Sequence, residues 1–575
     1  MPISILNNNA NLKDTSAKKY LKKYGGDNFL KKFNKKESIE CISDKSVVCG
    51  CDDKPKHSKP RPRPPIPPTP PPAFDIIIKG GIILTMDDNF TCIHDGAILI
   101  KGDKIVQILN NQNNLPTAAS VIDATNHIVM PGLINAHGHP PMSLLRGLAD
   151  DLQLLTWLFQ FIFPAEAANV NPDFVFWGTL LACAEMALTG TTTFADMYYF
   201  EDDIARATKQ SGLRGVLGQT IIGDLGLENT GAFPFVAPDF LRDPEVAALL
   251  AKADPTKIPN DPFYRQAVAL SIEKAFQYTE AFIQKWLGDP NVIPSVAPHA
   301  FYTTRPETIE RSLRLAEKYK VPLQIHISET SNENVDIKTY YVDTPYPNPR
   351  FRLPRAVPLA QATGLLNPRT QVNFAHTVDL TQEEIELIAA GNPRVSMSHN
   401  PESNAKLASG IAPVKALLEA GALVSIGTDG PASNNNLDHF ESLDWTAKLQ
   451  KINRDDVGMV GDPVAVAARE VVFLATRGGA KAYGIDDKVG SLEVGKIADI
   501  ITIDINHPST TPIYNVYSHL VYIIKGHLVD NVIVNGKFVV RNKNLLTINL
   551  PEVYRQVEIL KQKIIASLPN PPVLC

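Results

Sequence analysis

Short apolar runs alternate with longer segments of helical periodicity through the middle of the chain, from about residue 131 to residue 485. Such runs are typical of buried strands, and the segments between them are long enough for helices. Eight runs can be distinguished, and they end near residues 139, 196, 219, 299, 328, 376, 399 and 429. This alternation predicts an α/β fold, a (β/α)8 TIM-type barrel, in which the chemistry takes place at the carboxyl ends of the strands.

Both flanks of this region have a different pattern, with short β-rich runs and tight turns. A two-residue turn, Gly102-Asp103, separates runs 97–101 and 104–109, and Asn535-Gly536 separates runs 531–534 and 537–540. We therefore expect a small β-sandwich domain built from both ends of the ordered chain. The expected segments are 74–130 (first part of the sandwich), 131–485 (metal-dependent barrel), 486–545 (second part of the sandwich) and 546–575 (C-terminal helix or tail).

Residues 1–73 form a separate segment, rich in Lys and Asn and then in Pro from residue 60 to residue 72. This composition predicts a disordered extension that ends in an extended polyproline linker. Two functional alternatives stay open: a ligand for a proline-recognition domain, and a metal site. The residues of that metal site would be Cys41, Cys49, Cys51 and His57, although their spacing matches no common zinc module.

Composition narrows the functional classes. The 575 residues are 44% hydrophobic and 20% charged, with a formal net charge of -5, so we expect a soluble globular protein without a nucleic-acid or membrane partner. Six scattered cysteines are too few for a disulfide framework, and the N-terminus lacks the pattern of a secretory signal. A reducing, cytoplasmic location is the expectation.

Histidine and aspartate recur at the expected strand ends. Residues 128–134 have the length of one buried strand, and His137 and His139 follow it two residues apart, so period-two geometry places both imidazoles on one face. Together with His326 and Asp429 they make a set of three histidines and one carboxylate. Such a set can bind one divalent metal ion, Zn²⁺ or alternatively Fe²⁺, and leaves a coordination position for water.

Further residues beside this set could move protons. Glu329 follows the strand that carries His326 and could protonate a leaving group or a ring nitrogen, and His376 or Asp429 could accept a proton from the water. Each residue has a structural alternative. His326 could be a core histidine, Asp429 a helix N-cap, Glu329 a solvated loop carboxylate, His299 a loop residue and His376 a buried donor to a carbonyl. Their coincidence at matched strand ends favours a common site.

Ordered phrases of the sequence carry a family resemblance. They are PGLINAHGH, MSLLRGLADDLQLLTWL with FPAE, APHAFYT, HISET, AHTVDL, SHNPESNAKLASGIAPV, GTDGPASNNNLD and GSLEVGKIADIITID. Over residues 74–545 the chain resembles the amidohydrolase superfamily. It is most similar to the 5-methylthioadenosine/S-adenosylhomocysteine deaminase group, with triazine hydrolases and guanine or cytosine deaminases as more distant relatives.

The resemblance implies specific roles. His137, His139, His326 and Asp429 would hold a single divalent metal, Glu329 would shuttle protons, and His376 would orient the attacking hydroxide. Glu166 and His299 match positions that contact the purine and the ribose, and Ser433 falls where relatives shape the substrate pocket. The implied protein is a homo-oligomer that binds a small heterocyclic molecule.

The implied reaction is hydrolytic deamination of an adenine-type nucleoside, with release of ammonia. Two alternatives stay open. One is a related hydrolase acting on guanine, a pterin or a chloro- or alkylamino-triazine, and the other is a catalytically inactive scaffold that works through its proline-rich arm.

The chain also departs from the family pattern. Deaminases of this group place arginine ahead of the fourth barrel strand, to meet the carboxylate of S-adenosylhomocysteine, whereas residues 266–298 offer only Lys274 and Lys285. Residues 224–271 and 330–358 form long segments, which we expect to act as lids that determine specificity. Whether Arg350, Arg352 or Arg355 contacts substrate or is exposed loop charge is left open.

Overall fold

The computed structural model describes residues 72–225, 235–344, 346–453 and 461–568. The extension expected at residues 1–73, with its cysteine and histidine group, therefore lies outside the described residues except for its last two positions. The same holds for the end of the expected tail, residues 569–575.

Nineteen strands occur within these described ranges. They are β1 (Phe74–Lys79), β2 (Ile82–Leu84), β3 (Cys92–His94), β4 (Ala97–Lys101), β5 (Lys104–Leu109), β6 (Ala118–Asp123), β7 (His127–Pro131), β8 (Leu133–Asn135), β9 (Thr191–Tyr198), β10 (Arg214–Ile221), β11 (Val292–Pro298), β12 (Leu323–Ile327), β13 (Val372–His376), β14 (Val395–His399), β15 (Leu423–Ile426), β16 (Ile500–Asp504), β17 (Val529–Val534), β18 (Lys537–Arg541) and β19 (Asn544–Leu545).

The α-helices lie mainly between the strands of the barrel. They are α1 (Leu154–Trp157), α2 (Phe163–Asn169), α3 (Pro172–Leu188), α4 (Glu201–Ser211), α5 (Pro244–Leu250), α6 (Pro262–Trp286), α7 (Pro306–Tyr319), α8 (Ser331–Lys338), α9 (Ala356–Ala362), α10 (Gln382–Ala389), α11 (Pro401–Lys406), α12 (Val414–Glu419), α13 (His439–Ile452), α14 (Ala468–Phe473), α15 (Gly479–Ala482), α16 (Val516–Tyr522) and α17 (Leu550–Ser567). Helical turns of π type extend three of them, at Leu158–Ile162, Thr339–Asp343 and Leu474–Gly478.

Strands β8 to β15 form one parallel sheet in chain order, each strand paired with the next. Two backbone hydrogen bonds join its first and last strands: Ala136 N donates to Ile426 O over 2.9 Å, and Asp429 N donates to His137 O over 3.0 Å. The sheet is therefore closed, and its carboxyl ends surround a single mouth. The predicted (β/α)8 barrel is confirmed.

The first barrel strand differs from its prediction. The apolar run 128–134 is divided between two sheets, because β7 pairs with β16 and β8 pairs with β9. Gly132 lies between them, and a Cβ there would stand 2.1 Å from Thr192 Cγ2, so only glycine fits where the chain passes from one sheet to the other. The prediction of one continuous strand was wrong, because apolar periodicity does not mark a change of sheet. His137 and His139 consequently lie beyond the strand end at Asn135.

Both ends of the described chain meet in the smaller domain. Its seven-stranded sheet has the order β19-β18-β17-β16-β7-β2-β3, and a four-stranded sheet has the order β5-β4-β1-β6. Apolar side chains from both parts of the chain fill the space between the sheets, among them Ile78, Ile98, Val129, Ile500 and Ile533. The expected β-sandwich built from both chain ends is confirmed.

The C-terminal helix α17 packs against α2 and α3. Val553, Leu560 and Ile564 are its buried residues, and Asn169 Nδ2 donates to Ser567 Oγ over 2.7 Å. The helix thereby supports the segment that carries Glu166. Among the described residues, no helix has both the length and the apolar character that crossing a bilayer requires.

Candidate active site

Six of the side chains singled out in the sequence converge at the carboxyl end of the barrel. They are His137 and His139 after β8, His326 in β12, Glu329 after β12, His376 at the end of β13 and Asp429 after β15. The ring centroid of His137 lies 4.9 Å from those of both His139 and His326, and all six side chains are buried or nearly so. Residues from four strands therefore share one polar pocket.

Potential metal-ligand atoms form overlapping groups around His137. One group joins His137, His139 and Asp429, and another joins His137, His326 and His376, each with its ligand atoms within 4.8 Å of one another. His137 Nε2 and His139 Nε2 lie 3.4 and 3.2 Å from Asp429 Oδ1. The four predicted ligands thus surround one region, although His326 joins it through His137 rather than through a direct contact with Asp429.

The hydrogen bonds around these histidines fit a bound cation. His139 Nδ1 and His326 Nδ1 lie 2.8 and 2.9 Å from the backbone oxygens of Met197 and His299, which orients their Nε2 atoms away from the backbone. Neither ring nitrogen of His137 has a hydrogen-bond partner in the described chain, and burial lowers the pKa of His137 to about 4. A buried, neutral imidazole without a hydrogen-bond partner has a nitrogen lone pair that can bind a divalent ion.

Asp429 supplies the negative charge of this group. Burial alone would raise the pKa of Asp429, but the close contacts of its carboxylate with the rings of His137 and His139 hold that pKa well below its usual range. Its Oδ2 atom also receives hydrogen bonds from Ser403 Oγ at 2.6 Å and Ser433 Oγ at 3.0 Å. The carboxylate is therefore ionised and held on both oxygens.

Glu329 and His376 lie beside the carboxylate. His376 Nε2 is 3.6 Å from Glu329 Oε2 and 3.9 Å from Asp429 Oδ2. Burial, followed by the charges of Asp429 and Glu333, raises the pKa of Glu329 well above its usual range, which favours the protonated form of this carboxyl. Burial lowers the pKa of His376, so its ring is neutral. One group can donate a proton and the other can accept one.

Backbone strain is concentrated at the same strand ends. Ser328, His376 and Asp429 have φ angles of 51°, 74° and 64°, in the left-handed region that residues other than glycine rarely adopt. Such conformations persist only where the surrounding structure enforces them, and they are common at functional sites. The three strained residues are therefore consistent with a functional site, where the required side-chain directions are enforced at a cost in backbone energy.

A family comparison extends this geometry. The model described as the amidohydrolase family matches residues 128–539, which include every side chain of the site. The chain belongs to the amidohydrolase family.

Three proteins to which this amidohydrolase is similar have more specific names. The 5-methylthioadenosine/S-adenosylhomocysteine deaminase 1 of Syntrophus aciditrophicus is 38% identical over 499 residues, 86% of this chain and 99% of that protein. The 5'-deoxyadenosine deaminase of Methanocaldococcus jannaschii is 37% identical over 461 residues, 80% of this chain and 94% of that protein. A crystal structure of an adenosine deaminase from Xanthomonas campestris with bound zinc superposes with a TM-score of 0.71 at 33% identity, covering 86% of this chain and 99% of that one.

The amidohydrolase has a cavity over these polar groups. Glu166 and His299 line it, as do Glu329, His376 and Asp429, and residues of the segment after β8 give it an apolar wall. The apolar residues of that segment are Met142, Leu154, Trp157, Leu158 and Phe163. Such a surface suits the flat, largely apolar face of a heterocycle, with polar groups at its edges.

Two predicted substrate contacts are held by neighbouring hydroxyl groups. Tyr198 Oη donates to Glu166 Oε1 over 2.6 Å, and burial raises the pKa of Glu166 to about 7. His299 Nδ1 lies 2.8 Å from Thr303 Oγ1, and burial lowers the pKa of His299 to about 3. Both side chains are thus oriented before any ligand binds.

Ser433, the remaining predicted substrate contact, has a different environment. It is not among the residues that line the cavity, and its hydroxyl contacts Asp429, Ser403 and the backbone oxygen of Gly430. Its contact with substrate therefore stays a prediction, whereas its contact with Asp429 is seen.

None of the described residues lining the cavity is a lysine or an arginine. Arg350 lies 2.5 Å from Glu310, Arg352 Nε donates to Tyr346 O over 2.8 Å, and Arg355 Nε lies 2.8 Å from Glu384. The two lysines ahead of the fourth strand are also paired, Lys274 with Glu245 and Lys285 with Asp202. All three arginines thus have protein partners, none of them lines the described cavity, and a contact with substrate stays an open question.

Three residues near the site had no role assigned from the sequence. They are Tyr198, Ser403 and Asn404. Ser403 and Asn404 lie in the phrase SHNPESNAKL, which carried the family resemblance and was therefore a usable signal. Tyr198 had no such signal. It ends a fully buried strand, where an aromatic residue is expected for packing alone.

Proposed function

We infer that this amidohydrolase is a metal-dependent hydrolytic deaminase of an adenine-type nucleoside, such as 5'-methylthioadenosine, S-adenosylhomocysteine or adenosine. The observation that carries the inference is its 34 to 38% identity, over four fifths or more of the chain, to relatives named for deamination of such nucleosides. The reaction class is hydrolysis of a carbon-nitrogen bond in a cyclic amidine.

The proposed metal is one Zn²⁺ ion held by His137, His139, His326 and Asp429, with Fe²⁺ as the alternative. Support comes from the ring nitrogens of His137, which make no hydrogen bond in the described chain, from the ionised state of Asp429 and from the zinc named in the Xanthomonas campestris structure. When bound, such an ion supplies Lewis acidity and lowers the pKa of a coordinated water to about 7.

The protein's own groups would manage the protons. The neutral ring of His376 and the carboxylate of Asp429 would orient the attacking water and accept its proton, and their separation of 3.9 Å supports this shared role. The protonated carboxyl of Glu329 would donate to the ring nitrogen beside the amino-bearing carbon. Addition of water to that carbon, followed by transfer of a proton to the amino group, releases ammonia and leaves the oxo heterocycle.

Glu166 and His299 would orient the nucleoside. Both line the cavity, and Glu166 keeps its Oε2 atom available while Oε1 accepts from Tyr198. A carboxylate suits the paired hydroxyl groups of a ribose, and a neutral imidazole can donate to or accept from a purine nitrogen. The apolar wall at Trp157 and Phe163 would pack against the ring or the 5'-substituent.

A substrate panel on zinc-loaded protein tests the proposal. We expect ammonia release from 5'-methylthioadenosine, 5'-deoxyadenosine and adenosine, and little from guanine or a pterin. A chloro-triazine should release no chloride and an alkylamino-triazine no amine. Turnover of a triazine or of guanine without turnover of any adenine nucleoside would assign the alternative, a related hydrolase of another ring.

Two further properties are proposed on the resemblance to the family alone. The enzyme would act in the cytoplasm, and it would assemble as a homo-oligomer. Light scattering coupled to gel filtration of the full chain measures the second property, and a mass of about one 63.0 kDa chain would contradict it.

A further inference from the structure

One short helix contacts two of the site's side chains at once. Helix α11 follows β14, the strand that lies between β13 and β15 in the barrel sheet. His376 ends β13 and Asp429 follows β15, so the loop after the middle strand is within reach of both neighbours. Pro401 occupies the first turn of α11, where its fixed φ favours the start of a helix.

Ser403 on this helix contacts Asp429. Its hydroxyl lies 2.6 Å from Asp429 Oδ2, while the other carboxylate oxygen, Oδ1, accepts from the amide of Gly430 and faces His137 and His139. Ser403 is completely buried, so no bulk water competes for this bond. The hydroxyl therefore makes the shorter of the two serine contacts that hold Oδ2, the other being that of Ser433 at 3.0 Å, and helps to keep Oδ1 facing the histidines.

Asn404, the next residue, contacts His376. Asn404 Oδ1 lies 2.8 Å from His376 Nδ1, and this side chain is also completely buried. An amide oxygen accepts the Nδ1 proton, which leaves the lone pair of a neutral imidazole on Nε2. That Nε2 atom is the one that lies 3.6 Å from Glu329 and 3.9 Å from Asp429.

We propose that Ser403 and Asn404 are positioning residues, Ser403 fixing the carboxylate of Asp429 and Asn404 fixing the ring orientation and the tautomer of His376. Consecutive helical residues point about 100° apart, so one rigid turn serves two partners from different strands. The Asn404 half rests on the proposed deamination, whereas the Ser403 half concerns metal binding alone. Supporting groups of this kind typically change metal affinity or activity by 10- to 100-fold when they are removed.

Metal retention tests Ser403. We expect Ser403→Ala to lose zinc to a competing chelator at roughly 10- to 100-fold lower chelator concentration than the natural protein. Ser398→Ala is the matched control, because Ser398 is equally buried, lies in the preceding strand and has no hydrogen-bond partner for its hydroxyl in the described chain. Equal zinc retention by the two variants would overturn the Ser403 assignment.

Steady-state kinetics test Asn404. Asn404→Leu removes the acceptor while keeping the branch at Cγ, and we expect kcat to fall by roughly 10- to 100-fold with KM and zinc content nearly unchanged. Asn404→Asp keeps an acceptor oxygen and should recover most of kcat. A kcat for Asn404→Leu within twofold of the natural protein, or an Asn404→Asp variant that folds, binds zinc and is as slow as Asn404→Leu, would overturn the assignment.

The two arms separate this inference from the proposed function. If the natural protein releases no ammonia from any adenine nucleoside, the deaminase proposal fails, and the Asn404 assignment, which rests on it, fails as well. The zinc measurement still decides the role of Ser403. If the natural protein deaminates and neither substitution has the expected effect, only the positioning inference fails. Thermal unfolding of each variant verifies that folded protein is being compared.

Discussion

The backbone amide of Asp429 donates a hydrogen bond to the backbone oxygen of His137, over 3.0 Å. These residues are 292 positions apart in the sequence, and both are proposed ligands of the same ion. The bond is therefore one of the two that close the barrel, and it also fixes the spacing of two proposed ligands. A site built on barrel closure is rigid before the metal binds, which favours tight and specific binding.

Removing a metal ligand should abolish metal binding and activity together. We expect His326→Ala and Asp429→Asn to copurify with less than stoichiometric zinc and to lose turnover by roughly a thousandfold or more. Elemental analysis alongside an ammonia assay measures both. His507→Ala, at an exposed histidine that begins a turn after β16 in the smaller domain, is the control and should match the natural protein.

Changing Glu329 should separate metal binding from turnover. Glu329→Gln keeps the size of the side chain but removes its transferable proton, so zinc content should be retained while kcat falls by roughly 10² to 10⁴-fold. Elemental analysis and single-turnover kinetics are the measurements. A fully active Glu329→Gln variant would show that another group supplies the proton.

Glu402 should make stability depend on pH. This buried carboxyl accepts from Ser442 Oγ over 2.6 Å, and burial raises its pKa from 4.5 to about 7. The folded state holds the proton more tightly than the unfolded chain does. The stabilisation is therefore complete below pH 4.5 and is lost progressively as the pH rises from there through about 7.

The comparison with Glu402→Gln isolates this group. The free energy of unfolding of the natural protein should fall between pH 4.5 and pH 7 by up to about 3 kcal/mol more than that of the variant, since one pKa unit corresponds to about 1.4 kcal/mol. Urea titrations at several pH values provide the comparison. Parallel pH profiles for the two proteins would exclude a raised pKa at Glu402.

A buried ion pair joins the barrel to the sandwich. Arg214, at the start of β10, pairs with Asp499, and Asp499 Oδ1 also accepts from the amide of Asn535 over 2.8 Å. Asp499→Asn leaves a buried arginine without its counter-charge, so we expect a loss of about 3 to 5 kcal/mol in the free energy of unfolding.

An exposed pair offers the matching control for that substitution. Glu558→Gln breaks the contact with Lys561, where both side chains are about half exposed, and should change stability by less than about 1 kcal/mol. Chemical denaturation of both variants measures the difference. Equal effects of the two substitutions would mean that the Arg214 pair contributes no more than a surface contact.

Much of the architecture follows from local pattern. The runs predicted to end near residues 376 and 399 end at those residues in β13 and β14, because a fully buried parallel strand is a short apolar run between polar segments. The hairpin turns at Gly102-Asp103 and Asn535-Gly536 were recognised for a similar reason, since few residues tolerate their backbone angles. Periodicity failed at residues 128–134, where one apolar run serves two sheets.

The sequence by itself determined the strand order, the residue types at the strand ends and the amidohydrolase chemistry that they imply, because these depend on short-range pattern and side-chain identity. Only the tertiary structure decided that His137 belongs to two of the three groups of potential ligand atoms, that Ser433 contacts Asp429, and that Arg350 and Arg355 pair with glutamates. The physical reason is that these contacts join residues from separate strands and loops. Their distances are set by closure of the barrel and by packing, which no local segment of the chain encodes.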